Sequence, residues 1–177
     1  MYRIKELIQQ KRPYYHTQDL AVAWGMSNRN TLYKTISRYI KSGVLKPVHK
    51  GFYTTVPLDQ IDPVKLGIGY LHAFAYLSTE SVLSKSGILN QNPQALTLVS
   101  SVSKTFNLGG RLYKVRRLAS EVLFNDLGLI KMDDYLEASP ERAAADLLHF
   151  NPKYFIDNKN LVNWDIVRKI QREVYHL

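Results

Sequence analysis

The sequence contains no cysteine among its 177 residues. This absence excludes disulfide bonds and thiolate metal sites, and it is typical of proteins that work in a reducing cytoplasm. No apolar stretch approaches the roughly 20 residues that a membrane span requires. Residues 1–5 also lack the apolar run of a secretory signal. We therefore expect a cytoplasmic protein that does not associate with a membrane.

Sequence signatures of catalysis are also scarce. The chain has no phosphate-binding glycine motif and no Gly-x-Ser-x-Gly segment, and its five histidines are scattered without metal-ligand spacing. We expect no catalytic residues, no metal, no cofactor and no enzyme activity. One alternative is a nuclease, because Asp157-Asn158-Lys159 matches the acid-x-Lys element of restriction-type nucleases.

Positive charge is concentrated at the beginning of the chain. The net charge is +9, and residues 1–56 contain ten Lys or Arg but only two acidic residues, so this third carries +8 of it. The remaining residues carry a net charge of +1. A local excess of positive charge attracts a polyanion, either nucleic acid or an anionic membrane surface.

The first 56 residues predict the element order of a winged helix-turn-helix. Apolar residues at helical spacing predict helices over 2–11, from an N-cap at Thr17 to about Gly25, and over 29–41. Residues 14–16 favour a short strand. Residues 45–54 favour a hairpin, with His49-Lys50-Gly51 at its tip. Helix, strand, helix, turn, helix and hairpin follow one another in that fold.

The helix over 29–41 has the two faces that a recognition helix needs, an apolar back and a polar, basic front. Residues 28–31 at its start are candidates for base edges, because arginine pairs with guanine and asparagine with adenine. The hairpin tip is placed for phosphate contacts. The candidate DNA-binding residues are Asn28, Arg29, Asn30, Thr31, Lys34, Thr35, Arg38, Lys46, His49 and Lys50. The alternative is a solvated helix face, as in winged helices that bind only protein.

Turn-forming residues at Pro57 and Asp62-Pro63 predict a domain boundary. The expected organisation is a winged helix-turn-helix over 1–56, a linker over 57–63 and a mixed α/β domain over 64–177. In the second domain, local patterns predict helices over 64–71, 78–85, 139–150 and 164–175, and strands over 96–99, 105–108, 111–117 and 121–124. The fold class is therefore α+β.

A second group of basic residues surrounds the hairpin predicted over 105–117. Because alternate residues of a strand point to opposite faces, the group does not form a one-sided stripe. It is a candidate second contact with the DNA backbone or a partner, or else it is a charged edge strand protected from pairing. Its members are Lys104, Arg111, Lys114, Arg116 and Arg117.

Three separated blocks resemble the AbiEi-type antitoxins of type IV, or abortive-infection, toxin–antitoxin systems. The first is residues 42–45 (SGVL) followed by 50–53 (KGFY), similar to the exit of that family's recognition helix and its wing. The second is residues 75–83 (AYLSTESVL) with 87–89 (GIL), and the third is residues 138–148 (ASPERAAADLL). Their order and spacing cover roughly residues 15–150.

The resemblance implies a two-domain transcriptional repressor without catalysis of its own. Such proteins bind inverted repeats in double-stranded DNA at their own promoter and counteract a nucleotidyltransferase toxin encoded beside them, without needing to form a stable complex with it. The alternative is an interaction module in which the second domain binds a toxin or another partner directly.

Overall fold

The computed structural model describes residues 12–177. The helix predicted over 2–11 lies outside the described residues. The chain divides into two units, of which the first ends at Tyr70 and the second begins at Leu71. Both contain helices and sheet, so the α+β class is confirmed. In the described part of the chain, no helix combines the length and the apolar character needed to cross a bilayer.

The first unit places a three-stranded antiparallel sheet beside a pair of helices. Its strands are arranged in the order β1-β3-β2. Its elements are β1 (Tyr14–His16), α1 (Thr17–Ala23), α2 (Arg29–Lys41), β2 (Lys46–His49), β3 (Phe52–Thr54), a 3₁₀ turn (Leu58–Gln60) and α3 (Pro63–Leu71).

An apolar core joins α1 and α2 to the sheet. Trp24, at the end of α1, packs against Tyr39 of α2 with ring centroids 5.3 Å apart, and both side chains are buried. Gly25 follows with φ at +58°, a conformation that glycine adopts without steric cost and that reverses the chain between the helices. The predicted bounds of α2 and the predicted hairpin are confirmed. The predicted N-cap of α1 is wrong by one residue: His16 is the N-cap, and its amide donates to Asp19 Oδ2 at 2.8 Å.

The predicted domain boundary at 57–63 falls inside the first unit. The helix expected to open the second domain is α3, which packs on the sheet instead. His16 Nε2 donates to the carbonyl of Gly69 at 2.8 Å, and the rings of Phe52 and Tyr70 lie 5.4 Å apart. Gly69 allows α3 to pack this closely on the sheet, because a Cβ at that position would lie 2.3 Å from the ring of Tyr14.

The second unit is built on a six-stranded mixed sheet with the order β6-β7-β5-β4-β9-β8. The pairs β5–β7 and β4–β9 are parallel, and the other neighbouring strands are antiparallel. Its elements are β4 (Ala75–Leu77), α4 (Glu80–Lys85), β5 (Ala95–Ser100), β6 (Lys104–Leu108), β7 (Arg111–Arg117), α5 (Ser120–Leu123), β8 (Leu129–Lys131), β9 (Leu136–Ala138), α6 (Pro140–Phe150), a 3₁₀ turn (Lys159–Leu161) and α7 (Trp164–Tyr175).

Most elements predicted for this unit are confirmed, including the β6–β7 hairpin and helices α6 and α7. Ser139 caps α6, accepting from the amide of Arg142 at 3.1 Å. The strand predicted over 121–124 is wrong. This segment is the single helical turn α5, in which the amides of Leu123 and Phe124 donate to the carbonyls of Ala119 and Ser120.

A buried ion pair ties α6 to its surroundings. Arg142 and Asp146 are fully buried, and Arg142 Nε donates to Asp146 Oδ1 at 2.8 Å. The other guanidinium nitrogens donate to the Tyr76 hydroxyl and to three carbonyls, those of Val122, Asn125 and Leu127. The Asp146 carboxylate also accepts from the hydroxyls of Tyr76, Ser78 and Tyr175. Both charges of this pair therefore have several partners, which is the condition for tolerating an ion pair in a core.

Candidate nucleic-acid interface

Helix α2 has one buried and one exposed face. Asn28 caps it, its Oδ1 accepting from the amide of Thr31 at 3.1 Å. Such a cap satisfies an amide that the helix itself leaves without a partner. The buried face consists of Leu32, Thr35, Ile36 and Tyr39. The exposed residues of the helix are Arg29, Asn30, Thr31, Tyr33, Lys34, Ser37, Arg38 and Lys41.

The exposed surface of α2 and the β2–β3 hairpin is positively charged and contains no acidic side chain. Between Asp19 and Asp59 the chain has no aspartate or glutamate. The cations of this stretch are all exposed, and none forms an ion pair with another described residue. They are Arg29, Lys34, Arg38, Lys41, Lys46 and Lys50. Like charges repel one another, so binding of an anionic partner lowers the electrostatic energy of this surface.

The β2–β3 hairpin presents its charges at a tight turn. Lys50 is exposed beside Gly51, whose φ of +77° closes the turn. The neighbouring His49 packs edge-on against Tyr70, with ring centroids 5.2 Å apart and His49 Nδ1 lying 3.4 Å from the Tyr70 hydroxyl. The hairpin therefore packs against α3, while its lysines are exposed to solvent.

The structure brings most of the predicted DNA-binding residues to one helix and one hairpin, with one correction and one addition. The sequence predicts Thr35 on the polar front, but only 6% of the residue is exposed. It lies three residues after Leu32 and four before Tyr39, which places it on the buried side of the helix. Tyr33, which the sequence analysis does not single out, also lies on the exposed face of α2 and is 54% exposed. Its spacing of three residues from Asn30 was the available signal.

The second basic group is divided between two faces of the sheet. Phe106, Tyr113 and Val115 are buried on one face, with the rings of Phe106 and Tyr113 stacked 5.0 Å apart. Arg111 and Arg117 share that face at the two ends of β7, whereas Lys114 is exposed on the opposite face.

Two members of the group have other partners. Arg116 forms an ion pair with Glu80, and its guanidinium carbon lies 5.2 Å from the centre of the Phe150 ring. Lys104 lies over the ring of Phe106 at 5.6 Å. Arg116 therefore does not belong to an exposed contact surface, contrary to the prediction. Lys104, Arg111, Lys114 and Arg117 remain exposed.

The acid-x-Lys element over 157–159 holds a loop in place. Asp157 Oδ2 accepts from the amide of Asn90 at 2.9 Å, and Asn158 Nδ2 donates to the carbonyl of Gly87 at 2.7 Å. Lys159 Nζ lies 5.5 Å from the centre of the Phe155 ring. These contacts give each residue of the element a structural role. Within residues 12–177, no group of three histidine or acidic side chains is arranged to hold a metal ion.

Comparisons with known proteins show a likeness in fold alone. No family model matches the chain, and no curated protein sequence matches it. Among solved structures, that of the RV2827C protein from Mycobacterium tuberculosis is similar, with a TM-score of 0.59 and 15% sequence identity. The similarity covers 97% of this chain and 70% of the other. An α+β fold of this kind is therefore shared with a solved protein that is only 15% identical in sequence.

Proposed function

We propose that the first unit is a winged helix-turn-helix that binds double-stranded DNA, with α2 in the major groove and the β2–β3 hairpin as the wing. The observation that carries the proposal is the exposed surface of α2 and the hairpin: it has six exposed cations without an ion-pair partner among residues 12–177, and no acidic residue lies between Asp19 and Asp59. Such a surface favours DNA binding, because neutralising the phosphates releases counterions. A helix face that is only solvated does not require so many cations.

The roles of the side chains follow from what each can reach. Arg29 and Asn30 stand at the exposed start of α2 and are the candidates for guanine and adenine edges. Asn28 contributes mainly as the helix cap, because its oxygen is already bonded to an amide of the helix. Lys34 and Arg38 lie one and two turns further along, where backbone phosphates flank the groove. Lys46 and Lys50 would hold the phosphates beside the wing, with His49 as a neighbour.

Duplex binding by charge-removed variants tests this proposal. The double variant Lys34→Ala/Arg38→Ala removes two exposed cations of α2, and its matched control, Lys153→Ala/Arg172→Ala, removes two exposed cations of the second unit. Removing two phosphate contacts weakens binding by at least about tenfold near physiological salt. We expect that loss for the α2 variant only, measured by fluorescence anisotropy on duplexes selected from a random pool. Equal losses for both variants, or no duplex binding by the wild-type chain, would refute the proposal.

We further propose a biological role based on the resemblance to AbiEi-type antitoxins. The protein would act in the cytoplasm as a repressor that binds inverted repeats in its own promoter and counteracts a nucleotidyltransferase toxin. A footprint over its own promoter, together with rescue of growth when the adjacent nucleotidyltransferase gene is induced, is the expected result. If the adjacent gene does not encode a nucleotidyltransferase, the proposal reduces to a winged-helix regulator.

A direct protein partner for the second unit is the alternative, and one observation favours it. Phe74 and Phe124 form an exposed aromatic pair, with centroids 5.0 Å apart and 37% and 61% of each residue exposed. Exposed aromatic side chains are enriched where proteins bind one another. Under this alternative, the nucleotidyltransferase co-purifies with the wild-type chain and is lost from the Phe74→Ser/Phe124→Ser variant. Neutralisation of the toxin without co-purification excludes it.

A further inference from the structure

Tyr33 differs from every other described tyrosine of the first unit in its environment. More than half of it, 54%, is exposed, whereas Tyr15, Tyr39, Tyr53 and Tyr70 are each at most 9% exposed and Tyr14 is half-buried. Its ring and hydroxyl form no hydrogen bond or ring contact with another described residue. Burial of an aromatic ring stabilises a protein because it removes apolar surface from water. Packing against the described residues of the unit realises only part of that stabilisation at Tyr33, because more than half of the residue stays exposed.

The position of Tyr33 on α2 places it among the candidate base-reading residues. Residues three and four apart are neighbours on a helix surface, so the exposed neighbours of Tyr33 are Arg29, Asn30 and Ser37, while Ile36 lies towards the buried side. Side chains on a helix also lean towards its N-terminus, which directs the ring over the turn that carries Arg29 and Asn30. These three neighbours are all exposed. Tyr33 is therefore the large apolar group on an otherwise polar and basic front.

An apolar group in the major groove has one natural partner among the four bases. Base edges present hydrogen-bond donors and acceptors there, and the single apolar group among them is the 5-methyl of thymine. The Asn30 amide has the donor and acceptor that match adenine. Asn30 and Tyr33 together thus offer complementary groups for A·T pairs.

We infer that Tyr33 determines specificity by contacting the 5-methyl group of a thymine, an inference that rests on the proposed binding of DNA by α2. The ring provides the contact surface, and the phenolic hydroxyl is not required for it. Two substitutions therefore distinguish the ring from the hydroxyl: Tyr33→Phe keeps the ring and removes the hydroxyl, whereas Tyr33→Ala removes both.

Single substitutions of deoxyuridine for thymine test the inference, because they delete the methyl and leave base pairing unchanged. Each thymine of the duplex selected by the wild-type chain is replaced in turn, and affinities are measured by fluorescence anisotropy. At one or two thymines in each half-site we expect wild-type affinity to fall about fourfold, the factor for one methyl group removed from water. Tyr33→Ala should show no penalty at those positions, and Tyr33→Phe should keep it. Val22→Ala, which truncates a 78% exposed apolar residue of α1, serves as the matched control and should also keep it.

The outcomes separate the two proposals. If the wild-type chain binds DNA but tolerates deoxyuridine everywhere, or if Tyr33→Ala retains the penalty, the role of Tyr33 is refuted and DNA binding stands. Loss of the penalty in Tyr33→Phe would also overturn the inference, because it would assign the contact to the hydroxyl. If the wild-type chain binds no duplex, both proposals fail together.

Discussion

Removing the charge of Asp146 should strongly destabilise the second unit. The Asp146→Asn substitution preserves the shape of the side chain but leaves the guanidinium of Arg142, which is fully buried, without an anion. The carbonyls of Val122, Asn125 and Leu127 still accept from it, yet they carry no net charge. Breaking one partner of a buried ion pair costs about 3–5 kcal/mol. Since a domain has a total stability of roughly 5–15 kcal/mol, this is a large fraction of it.

Urea unfolding measures the effect in the second unit. The chain has two tryptophans, Trp24 in the first unit and Trp164 in the second, so a Trp24→Phe background makes fluorescence report the second unit. For an m-value of about 1–3 kcal/mol/M, the expected loss lowers the midpoint by 1 M urea or more. The matched control is Asp165→Asn, which breaks an ion pair with Arg168 whose side chains are 89% and 61% exposed. Exposed pairs contribute at most about 1 kcal/mol.

Two results would refute this account of the core. One is a loss below about 1 kcal/mol in Asp146→Asn, which would mean that the carboxylate is not buried opposite an arginine. The other is strict additivity of the stability losses when both partners are replaced. Replacing both partners, as Arg142→Met/Asp146→Leu, should cost less than the sum of the two single changes, because no uncompensated charge is left behind.

Three further predictions concern stability. Burial, reinforced by the Asp146 carboxylate, raises the pKa of Tyr76 and of Tyr175 above the usual value of 10.0. Above about pH 10 these tyrosines lose their protons in the unfolded chain but keep them in the folded one, so the free energy of unfolding falls by up to about 1.4 kcal/mol per pH unit for each tyrosine. Urea midpoints that do not change up to about pH 11 would contradict this prediction. Gly69→Ala should destabilise the first unit by about 1–3 kcal/mol in thermal unfolding, because the new Cβ overlaps the ring of Tyr14, and an increase in Tm would show that helix propensity outweighs that overlap. Asn28→Ala should cost about 1 kcal/mol through loss of the α2 cap, and failure of Asn28→Ser to restore stability would argue against the cap.

The elements that the sequence predicts well are those decided by neighbouring residues. Helix α2 begins after a capping asparagine and ends before Gly43, and both signals are local. Helix α6 begins at Ser139-Pro140, which combines a capping side chain with a residue suited to the first turn. The β2–β3 and β6–β7 hairpins likewise depend on glycine at a tight turn. The candidate DNA-binding face follows from the helical period, apart from Thr35.

The rest depends on contacts between distant parts of the chain. Strands β4 and β9 are each three residues long and pair in parallel, although they lie about 60 residues apart in the sequence. No local sequence pattern predicts such strands. Residues 121–124 contain strand-forming side chains, but a single helical turn satisfies their amides locally. The Arg142–Asp146 pair has helical spacing in the sequence, yet its burial depends on β4, α7 and the loop after α5. The place of α3 in the first unit depends on the missing side chain of Gly69.

The most direct test of DNA binding by the first unit is the salt dependence of duplex affinity in Lys50→Ala. Lys50 is exposed at the turn of the β2–β3 hairpin and has no ion-pair partner among the described residues. If it neutralises one phosphate, its removal weakens binding to selected and scrambled duplexes alike, and the slope of log K against log salt decreases in magnitude by about one. A slope equal to that of the wild-type chain, or the same change in Lys153→Ala of the second unit, would contradict the account.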